Sequence, residues 1–566
     1  MLKLKIHISI KSYLGIVLLI VFSALFYNTV LAKETATEVI NVYLKQRIET
    51  ELIKNRFSCR SELICGVSLI PVFYQQRDFA PAWYRNGKIL PQTAALISEI
   101  KNAYDEGLRP DGYHLATILS LIQTIESKKT LKEPIDPAMW VDLELLLTDA
   151  FMLYSSHLLA GRVNPETIHT DWIIVNPTAD LIGILQSALR SNQIRQALND
   201  FRPLHLGYIG LKNSLADYRK RAEKNVWSPL LPGKSIKKGK SGLLVRQLCE
   251  RLTLLGDLKT SKQIPIDLFD ESVEAAVRRF QKRHGLRSDG IVGPLTLAIL
   301  NIPIRKRVRQ IEINMERWRW IPRNLGNMYI LVNVAEFNMW VTENRQRSLN
   351  MRVVVGRPFR RTPVFSSKMT YMVINPFWNI PTSIAVKDIL PKIQEENQYL
   401  DQQGIKVFEN WKKDALELNP QTIDWKQIGP RNFFYRLRQD PGPQNALGRI
   451  KFMFPNKFAV YLHDTPKRFL FKETVRDFSS GCIRIEKPID LAVYITRNDP
   501  RWTKEEMLKA IAAGQRKVIT LREPIAIHLQ YWTAWVDDKG ELHFRDDIYD
   551  RDNALDRALK ERLPRM

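Results

Sequence analysis

The spacing of apolar residues along this chain changes from helical to strand-like near residue 325, and this change constrains the fold most. From about 35 to 226, apolar residues recur three and four positions apart, as over 93–104 and 139–159, which is typical of amphipathic helices. Beyond 325, segments alternate or run apolar at strand length. A chain of 566 residues is too long for one core. We therefore predict a multidomain α+β protein with a helical N-terminal scaffold over 35–226.

Two segments separate the helical scaffold from the β-rich part. Residues 227–242 are rich in proline, glycine and lysine, as expected of a linker. Residues 243–301 again show helical spacing, with Val273, Val277 and Phe280 on one face. We predict a small domain of short helices over 243–301.

Strand-like segments dominate the C-terminal part of the chain. The predicted strands are 328–334, 337–342, 349–355, 368–374, 451–454 and 458–462. A mixed, partly helical segment, 384–440, interrupts them, and we predict an insertion into a domain that spans 325–505. Residues 506–566 are predicted as a strand-rich extension that ends in a polar tail.

The N-terminus carries a targeting segment. A basic stretch, residues 1–12, precedes an apolar run over 13–31, which is the pattern of an export signal. Residues 30–32 resemble a cleavage site, but the run is also nearly long enough to span a bilayer uncleaved. Residues 1–32 are therefore either a signal peptide or a signal anchor, and in both cases we expect the rest of the protein to be exported.

The net charge restricts the partners of an exported protein. A formal charge of +25 attracts polyanions such as nucleic acid, anionic lipids and acidic wall polymers. Export disfavours nucleic acid. We therefore expect a wall polymer as the partner, with membrane contact through 13–31 if the leader is retained.

The four cysteines fall into different settings. Cys59 and Cys65 lie close together in a short polar stretch, where an exported protein either bridges them or keeps two thiols. Cys249 falls on an apolar helical face and is expected to be a buried core thiol. Cys482 is left without a partner and could react.

Histidines in the first half of the chain show no pattern of metal ligands. His114, His157, His169 and His205 are scattered, without a second ligand at helical spacing. We expect packed or surface histidines, and the sequence gives no indication of a metal or an organic cofactor.

Cys482 and His463 form a candidate nucleophile and base. Each lies at the edge of an apolar strand-like segment, and Gly481 before the cysteine permits a tight turn. A cysteine needs a lowered pKa or a base before it attacks at neutral pH, and histidine titrates in that range. Backbone amides in such a turn could hold a developing oxyanion. The alternative is a buried thiol near a loop histidine, without chemistry.

The segment 243–301 resembles the three-helix type of peptidoglycan-binding domain. The residues that carry the resemblance are Val277–Gln281, Gly285-Leu286, Asp289-Gly290 and Ile291–Thr296. The resemblance implies a domain that binds wall glycan or stem peptides. An ordinary helical bundle, with Phe280 as a core residue, is the alternative.

The segments His463-Asp-Thr-Pro466 and Ser479-Ser-Gly-Cys-Ile-Arg484 resemble the active-site motif of the L,D-transpeptidases, whose catalytic domain is of the YkuD type. Further matching segments are Val354–Arg357, Thr362-Pro363, Asn375–Pro381 and Pro441–Arg449. Residues 77–83 and 106–113 are similar to the scaffold of the large, YcbB-like branch. The resemblance implies a β-rich catalytic domain whose 384–440 insertion is a lid.

The resemblance also implies roles for individual residues. Cys482 would be the nucleophile and His463 its general base. Asp464 would orient the imidazole through its backbone carbonyl, and the amides of Gly481 and Cys482 would form the oxyanion hole.

Four further residues would bind the substrate or line the pocket: Arg484, Ser480, Tyr461 and Trp378. Ser480 is a departure, because many relatives have histidine directly before the Gly-Cys pair.

The implied reaction is acyl transfer between peptidoglycan stem peptides in the periplasm, in cell-wall biogenesis. The thiolate would attack the third residue of a tetrapeptide stem, expel D-alanine and pass the acyl group to an amine, which gives a 3-3 cross-link. Carbapenem-type inhibitors would acylate the same cysteine. The alternatives are an L,D-carboxypeptidase that uses water as the acceptor and a wall-anchoring protein without catalysis.

Overall fold

The computed structural model separates into two compact units. It describes residues 38–51, 57–174, 177–223, 228–231, 235–259 and 267–561. The first unit comprises Met1–Arg162, Asn176–Pro203 and Lys560–Met566, and the second comprises Val163–Val175 and Leu204–Leu559. The expected leader, 1–32, lies outside the described residues. Within those residues, no helix combines the length and apolar character needed to cross a membrane.

The first unit is a helical bundle built around one long helix. Its helices are 38–51 (α1), Leu69–Gln75 (α2), Pro91–Lys101 (α3), Leu115–Thr130 (α4), Pro137–Ala160 (α5), Leu181–Ser191 (α6) and Ile194–Phe201 (α7). Two short hairpins are Ser58–Cys59 with Glu62–Leu63 (β1, β2) and Tyr84–Arg85 with Lys88–Ile89 (β3, β4). The Asp136 side chain caps α5 by accepting from the Ala138 amide. Most side chains of α5 are buried, so it is the central helix of the predicted scaffold.

Cys59 and Cys65 do not lie in a polar loop and do not form a disulfide. Both are buried free thiols at the first hairpin. The Cys59 thiol donates to Asp142 Oδ1 at 3.2 Å. Burial raises the pKa of Cys59 well above its ordinary value and that of Cys65 to about 12, and the nearby carboxylates act in the same direction. These thiols therefore stay protonated and unreactive.

The four scattered histidines are packed, as predicted. His114 Nε2 lies 2.7 Å from an Asp149 oxygen, and His157 Nδ1 lies 3.0 Å from the hydroxyl of Tyr113. In the second unit, His169 stacks on an indole and His205 Nε2 bonds a backbone carbonyl. Structural contacts account for all four.

The second unit begins with a long helix and a compact helical domain. The elements are Leu206–Glu223 (α8), Leu243–Leu255 (α9), Glu271–Arg283 (α10), Pro294–Leu300 (α11) and Ile304–Arg319 (α12). Cys249 and Phe280 lie in the apolar core that α9, α10 and α11 share, so the prediction of a core thiol is confirmed. The Gln281 amide ties the Gly-rich loop to α10 by donating to Asp289 and to the Ile291 carbonyl, both at 2.9 Å.

A closed β-barrel forms the core of the second unit. Its strands are Met328–Asn333 (β5), Asn338–Glu343 (β6), Gln346–Val354 (β7), Phe365–Ile374 (β8), Ile450–Met453 (β13), Leu462–His463 (β14), Ile483–Ile485 (β15) and Lys517–Gln530 (β16). They follow the order β13-β14-β15-β7-β6-β5-β16-β8. Their inward side chains form one apolar core. The fold class predicted from the sequence is thus confirmed.

The insertion between β8 and β13 has its own sheet and core. Its elements are Trp378–Asn379 (β9), Thr382–Ile384 (α13), Leu390–Glu395 (α14), Tyr399–Gln402 (α15), Ile405–Phe408 (β10), Glu417–Leu418 (β11) and Arg436–Gln439 (β12), with a π-helix at Ala385–Ile389. The sheet order is β11-β10-β12-β9. Ile393, Trp425 and Leu437 are buried in its core. The insertion is partly helical, as predicted, and its sheet begins before residue 384.

The C-terminal part differs from the prediction at two points. Strand β16 pairs with β5 and β8, so the barrel extends beyond residue 505. The tail predicted to be polar is mostly the helix Arg551–Lys560 (α18), and its Leu555 and Leu559 pack into the barrel core. Between β16 and α18 lies the hairpin Ala534–Val536 (β17) and Leu542–Phe544 (β18). Before β16 come Pro488–Thr496 (α16) and Lys504–Ala512 (α17).

The predicted strand 458–462 is shorter than expected. Only Leu462–His463 pairs as a strand. Ala459 adopts a positive φ of 53°, and the Asn456 side chain accepts from the amides of Phe458 and Val460, both at 3.1 Å. A side chain that bonds local backbone in this way competes with the sheet, so this segment is a turn.

Candidate active site

The register of three strands brings the predicted site residues to one face of the barrel. His463 lies opposite Lys451 on β13 and opposite Arg484 on β15. Leu462 and Ile483 point into the barrel core, so the residues that alternate with them point outward. This outer face, called the cysteine face below, carries Lys451, Tyr461, His463, Cys482 and Arg484.

His463 is a neutral imidazole held by the backbone. Its ring is buried, and its Nδ1 lies 2.5 Å from the carbonyl oxygen of Asp464. Burial, assisted by the charge of Arg484, lowers the pKa of His463 to about 3. The backbone of Leu447 also forms a hydrogen bond with this imidazole. The carbonyl of Asp464 only accepts hydrogen bonds, so Nδ1 carries the proton and Nε2 of the neutral ring carries none.

The carboxylate of Asp464 does not face the imidazole. One oxygen accepts from the Arg449 amide at 2.9 Å, and the other accepts from Arg468 Nη1 at 3.1 Å. Asp464 therefore contacts His463 through its backbone carbonyl, while its carboxylate braces the loop around it.

Cys482 is a half-buried thiol, and its surroundings shift its pKa in opposite directions. Burial raises its pKa, whereas Tyr461, Lys451 and Arg484 favour the thiolate. The net pKa is raised, so the resting thiol is protonated at neutral pH. Attack by this sulfur requires that a base such as His463 take the thiol proton.

The turn before the cysteine depends on glycine and on a serine hydroxyl. Gly481 has a φ of +114°, a conformation that other residues rarely adopt. The Ser479 hydroxyl donates to the Cys482 carbonyl at 2.6 Å and accepts from the Gly481 amide at 3.1 Å. The Gly481 amide, expected as an oxyanion donor, is therefore already engaged. The Cys482 amide donates to no residue that the structure describes, which leaves it available to an oxyanion.

A second layer of hydrogen bonds fixes this turn, and the sequence did not point to all of it. The hydroxyl of Thr362 donates to the Gly481 carbonyl at 2.8 Å and accepts from the Gly356 amide at 2.9 Å. The hydroxyl of Tyr549, from the C-terminal segment, donates to the Gly356 carbonyl at 2.5 Å. Tyr549 is distant in sequence from every motif, so no local signal could have identified it.

Ser480 connects the turn to the insertion. Its exposed hydroxyl accepts from Arg360 Nη1 at 2.9 Å. Arg360 also forms a two-point ion pair with Asp388 of the π-helix, with 2.9 Å between Nη2 and Oδ1. We did not predict this role for Arg360, and its only sequence signal is its position just after the Gly356-Arg-Pro-Phe segment.

Two predicted substrate contacts lie in different surroundings. Arg484 is half-buried on the cysteine face, and its buried Nε has no hydrogen-bond partner within the described part of the chain. Trp378 lies in the insertion, where it pairs with Gln439 and packs against the insertion core. Its contribution to a pocket at Cys482 stays a prediction.

Lys451 belongs to the cysteine face although the sequence singled out no role for it. Its Nζ lies 3.7 Å from the centroid of the Tyr461 ring. That ring lies 5.6 Å from the ring of His463. The only signal in the sequence was the position of Lys451 in a predicted strand.

One group of potential metal ligands exists among the described residues, and it contains no residue of the cysteine face. Asp537, Glu541 and His543 belong to the β17–β18 hairpin. His543 Nε2 lies 3.0 Å from an Asp537 oxygen. The other Asp537 oxygen accepts from the amides of Lys539 and Glu541. These contacts account for the group as the turn of the hairpin.

Family models match three parts of the chain. Residues 68–215 match the "Scaffold domain", residues 241–300 the "Putative peptidoglycan binding domain" and residues 327–503 the "L,D-transpeptidase catalytic domain". The third match contains the whole cysteine face.

Individual proteins are similar over part of the chain. A "Putative L,D-transpeptidase" of Haemophilus influenzae is 33% identical over 250 residues, or 44% of this chain and 49% of that protein. The amidase CwlM of Mycobacterium tuberculosis is 36% identical over 75 residues, or 12% of this chain and 18% of that protein. The chain thus matches about half the length of the first relative and less of the second.

A solved L,D-transpeptidase of Stackebrandtia nassauensis is 15% identical, with a TM-score of 0.21, over 53% of this chain and 96% of that one. The assignment rests on the family model and the Haemophilus relative. Residues 327–503 match the YkuD-type catalytic domain of the L,D-transpeptidases, and this likeness concerns that part of the chain.

Proposed function

We propose that this protein is a peptidoglycan L,D-transpeptidase that forms 3-3 cross-links between stem peptides through a cysteinyl thioester. The observation that carries the proposal is the strand register that brings Cys482 and His463 to one face of the barrel, where burial favours the thiol and the neutral imidazole. A thiol and an imidazole placed together supply the nucleophile and the base that acyl transfer needs.

The first half of the reaction forms the acyl-enzyme. His463 Nε2 takes the thiol proton, and the Cys482 sulfur bonds to the carbonyl carbon of the third stem residue. The Cys482 amide donates to the oxyanion. The bond to the terminal D-alanine then breaks, and the imidazolium returns its proton to the leaving amine.

The second half transfers the acyl group. The amine of a second stem attacks the thioester carbonyl and gives a proton to His463. The carbon–sulfur bond breaks, and the Cys482 thiol recovers its proton from the imidazolium. Water in place of the amine would give a tripeptide instead of a cross-link.

The insertion decides between these acceptors in our proposal. Residues 384–440 act as a lid, and a lid that excludes water favours the amine. The Arg360 bridge between Asp388 and Ser480 supports this role. Arg484, Tyr461 and Trp378 would contact the donor stem.

The other domains and the cellular site follow from the same proposal. Residues 241–300 would hold the wall polymer near the barrel. The protein would act in the periplasm, either released or held at the inner membrane by 13–31. A carbapenem would form an adduct on Cys482.

The test is product analysis on tetrapeptide-rich sacculi. The full chain should generate 3-3 dimers, detected by mass spectrometry of released muropeptides, and Cys482→Ala should generate none. Cys249→Ala, which removes a buried thiol far from the site in sequence, should retain cross-linking. Tripeptides without dimers would point to a carboxypeptidase, and full activity of Cys482→Ala would contradict thiol catalysis.

A further inference from the structure

Lys451 extends along the cysteine face toward an aromatic ring. Its neighbours Ile450 and Phe452 are buried in the barrel core, so its own side chain points outward. The register places it opposite His463. Its Nζ lies over the Tyr461 ring, 3.7 Å from the centroid, which is a close cation–π contact.

This ammonium is half-buried and forms no ion pair with a carboxylate in the described part of the chain. Burial lowers the pKa of Lys451, the charge of Arg516 acts in the same direction, and the charge of Cys482 opposes both. A partly desolvated cation is costly unless an anion or a ring compensates it. The ring of Tyr461 compensates it in part, and a thiolate formed at Cys482 would compensate it further.

Tyr461 connects the cation to the sulfur. Tyr461 contacts Cys482 through both its backbone and its side chain. The charged and titratable groups that face this thiol are therefore Lys451, Tyr461 and Arg484, with His463 beside them on the same face. Lys451 and Arg484 favour the thiolate and disfavour the imidazolium.

We infer that Lys451 is a positioning residue for acyl transfer: its ammonium, held against the Tyr461 ring, stabilises the Cys482 thiolate when His463 takes the thiol proton. Lys451 keeps its own protons throughout. The inference rests on the proposed function, but it concerns the ionisation of the thiol, which can be measured without a wall substrate.

The test is the pH dependence of Cys482 alkylation by iodoacetamide in the full chain, followed by mass spectrometry of the peptide that contains Cys482. Lys451→Met keeps an apolar side chain against Tyr461. In this variant, the midpoint of the alkylation rate against pH should rise by about one pH unit. The rate below the midpoint should fall about tenfold, because one pH unit is a tenfold change in thiolate. Lys451→Arg should stay near the wild-type midpoint.

Lys457→Met is the matched control. Lys457 is an exposed lysine 5.5 Å from the ring of Phe458, so its removal deletes the same charge and a similar contact. The midpoint of Cys482 alkylation should not move in Lys457→Met. If Lys451 only packs on Tyr461, Lys451→Met should retain that packing and leave the alkylation midpoint where it is.

An unchanged midpoint in Lys451→Met would overturn the inference, and Lys451→Gln provides the same decision if the methionine variant does not fold. The outcomes separate the two proposals. If the wild-type chain forms cross-links but Lys451→Met shows no midpoint shift, only the role of Lys451 is refuted. If the wild-type chain forms no cross-links but Lys451→Met shows the shift, the proposed function is refuted and the electrostatic role of Lys451 stands.

Discussion

At the scale of single residues, the proposed chemistry depends on the transfer of a proton from Cys482 to His463. Burial raises the pKa of the thiol and lowers that of the imidazole to about 3. Both shifts favour the neutral pair over a thiolate–imidazolium pair. In the proposed mechanism, His463 therefore takes the thiol proton during the attack, and no preformed thiolate is required.

The neutral pair predicts that the rate of acylation has an unusual dependence on pH below 7. Because the pKa of His463 in the folded protein is lowered to about 3, the imidazole stays unprotonated as the pH falls from 7 to 5. Carbapenem acylation of Cys482 should therefore change little over this range. A histidine with its ordinary pKa would lose about thirtyfold in the neutral form by pH 5. Stopped-flow measurement of acylation decides this, and an inflection near pH 6.5 would contradict the neutral-pair account.

Substitution of Asp464 separates its carbonyl from its carboxylate. Asp464→Ala keeps the carbonyl that binds His463 Nδ1 but leaves the Arg449 amide without its acceptor. We expect a loss of about 1–3 kcal/mol in the free energy of unfolding, with acylation by carbapenem retained. Equal loss of acylation in Asp464→Ala and His463→Ala, in protein that remains folded, would show that the carboxylate is needed.

At the scale of elements, the site is assembled by strand pairing between distant segments. The sequence indicated the cysteine and histidine segments because local motifs carry them. It did not indicate Lys451, Arg360 or Tyr549, because their roles arise only when β13, the insertion and the C-terminal segment meet the cysteine turn. Side-chain alternation predicts which face a strand residue occupies, but not which strand lies beside it.

The insertion provides a prediction at this scale. Asp388→Asn weakens the ion pair that joins the π-helix to Arg360, and through it to Ser480. If the insertion is a lid, more water should reach the thioester, and the ratio of tripeptide to 3-3 dimer should rise. Muropeptide analysis measures this ratio.

Glu417→Gln is the control for Asp388→Asn. It removes an exposed partner of Lys406 within the same insertion, 3.4 Å away, and should leave the product ratio unchanged. An unchanged ratio in Asp388→Asn as well would argue against a lid held by Arg360.

At the scale of the whole molecule, contacts within the second unit join the helical domain of α9, α10 and α11 to the β17–β18 hairpin. Arg283 of α10 donates to the Leu542 carbonyl at 2.8 Å, and Arg545 donates back to the Arg283 carbonyl at 3.0 Å. His284 stacks on Phe544 with ring centroids 5.5 Å apart. These contacts fix the domain at the β17–β18 hairpin.

Sequence patterns predicted the large divisions of the molecule better than their ends. The change from helical to strand spacing marked the scaffold and the barrel. The prediction of a polar tail was wrong because Leu555 and Leu559 are separated by charged residues in the sequence, yet both pack into the barrel core. Strand β16 was missed as a barrel member because its partners, β5 and β8, lie far back in the chain.

The most direct test of the central claim is to trap the acyl-enzyme on full-length protein. The chain is incubated with a disaccharide tetrapeptide, quenched in acid and mapped by peptide mass spectrometry. We expect the peptide containing Cys482 to gain the mass of the donor minus alanine, and His463→Ala to lower the yield sharply. Cross-link formation without any adduct on Cys482, or with Cys482→Ala, would contradict it.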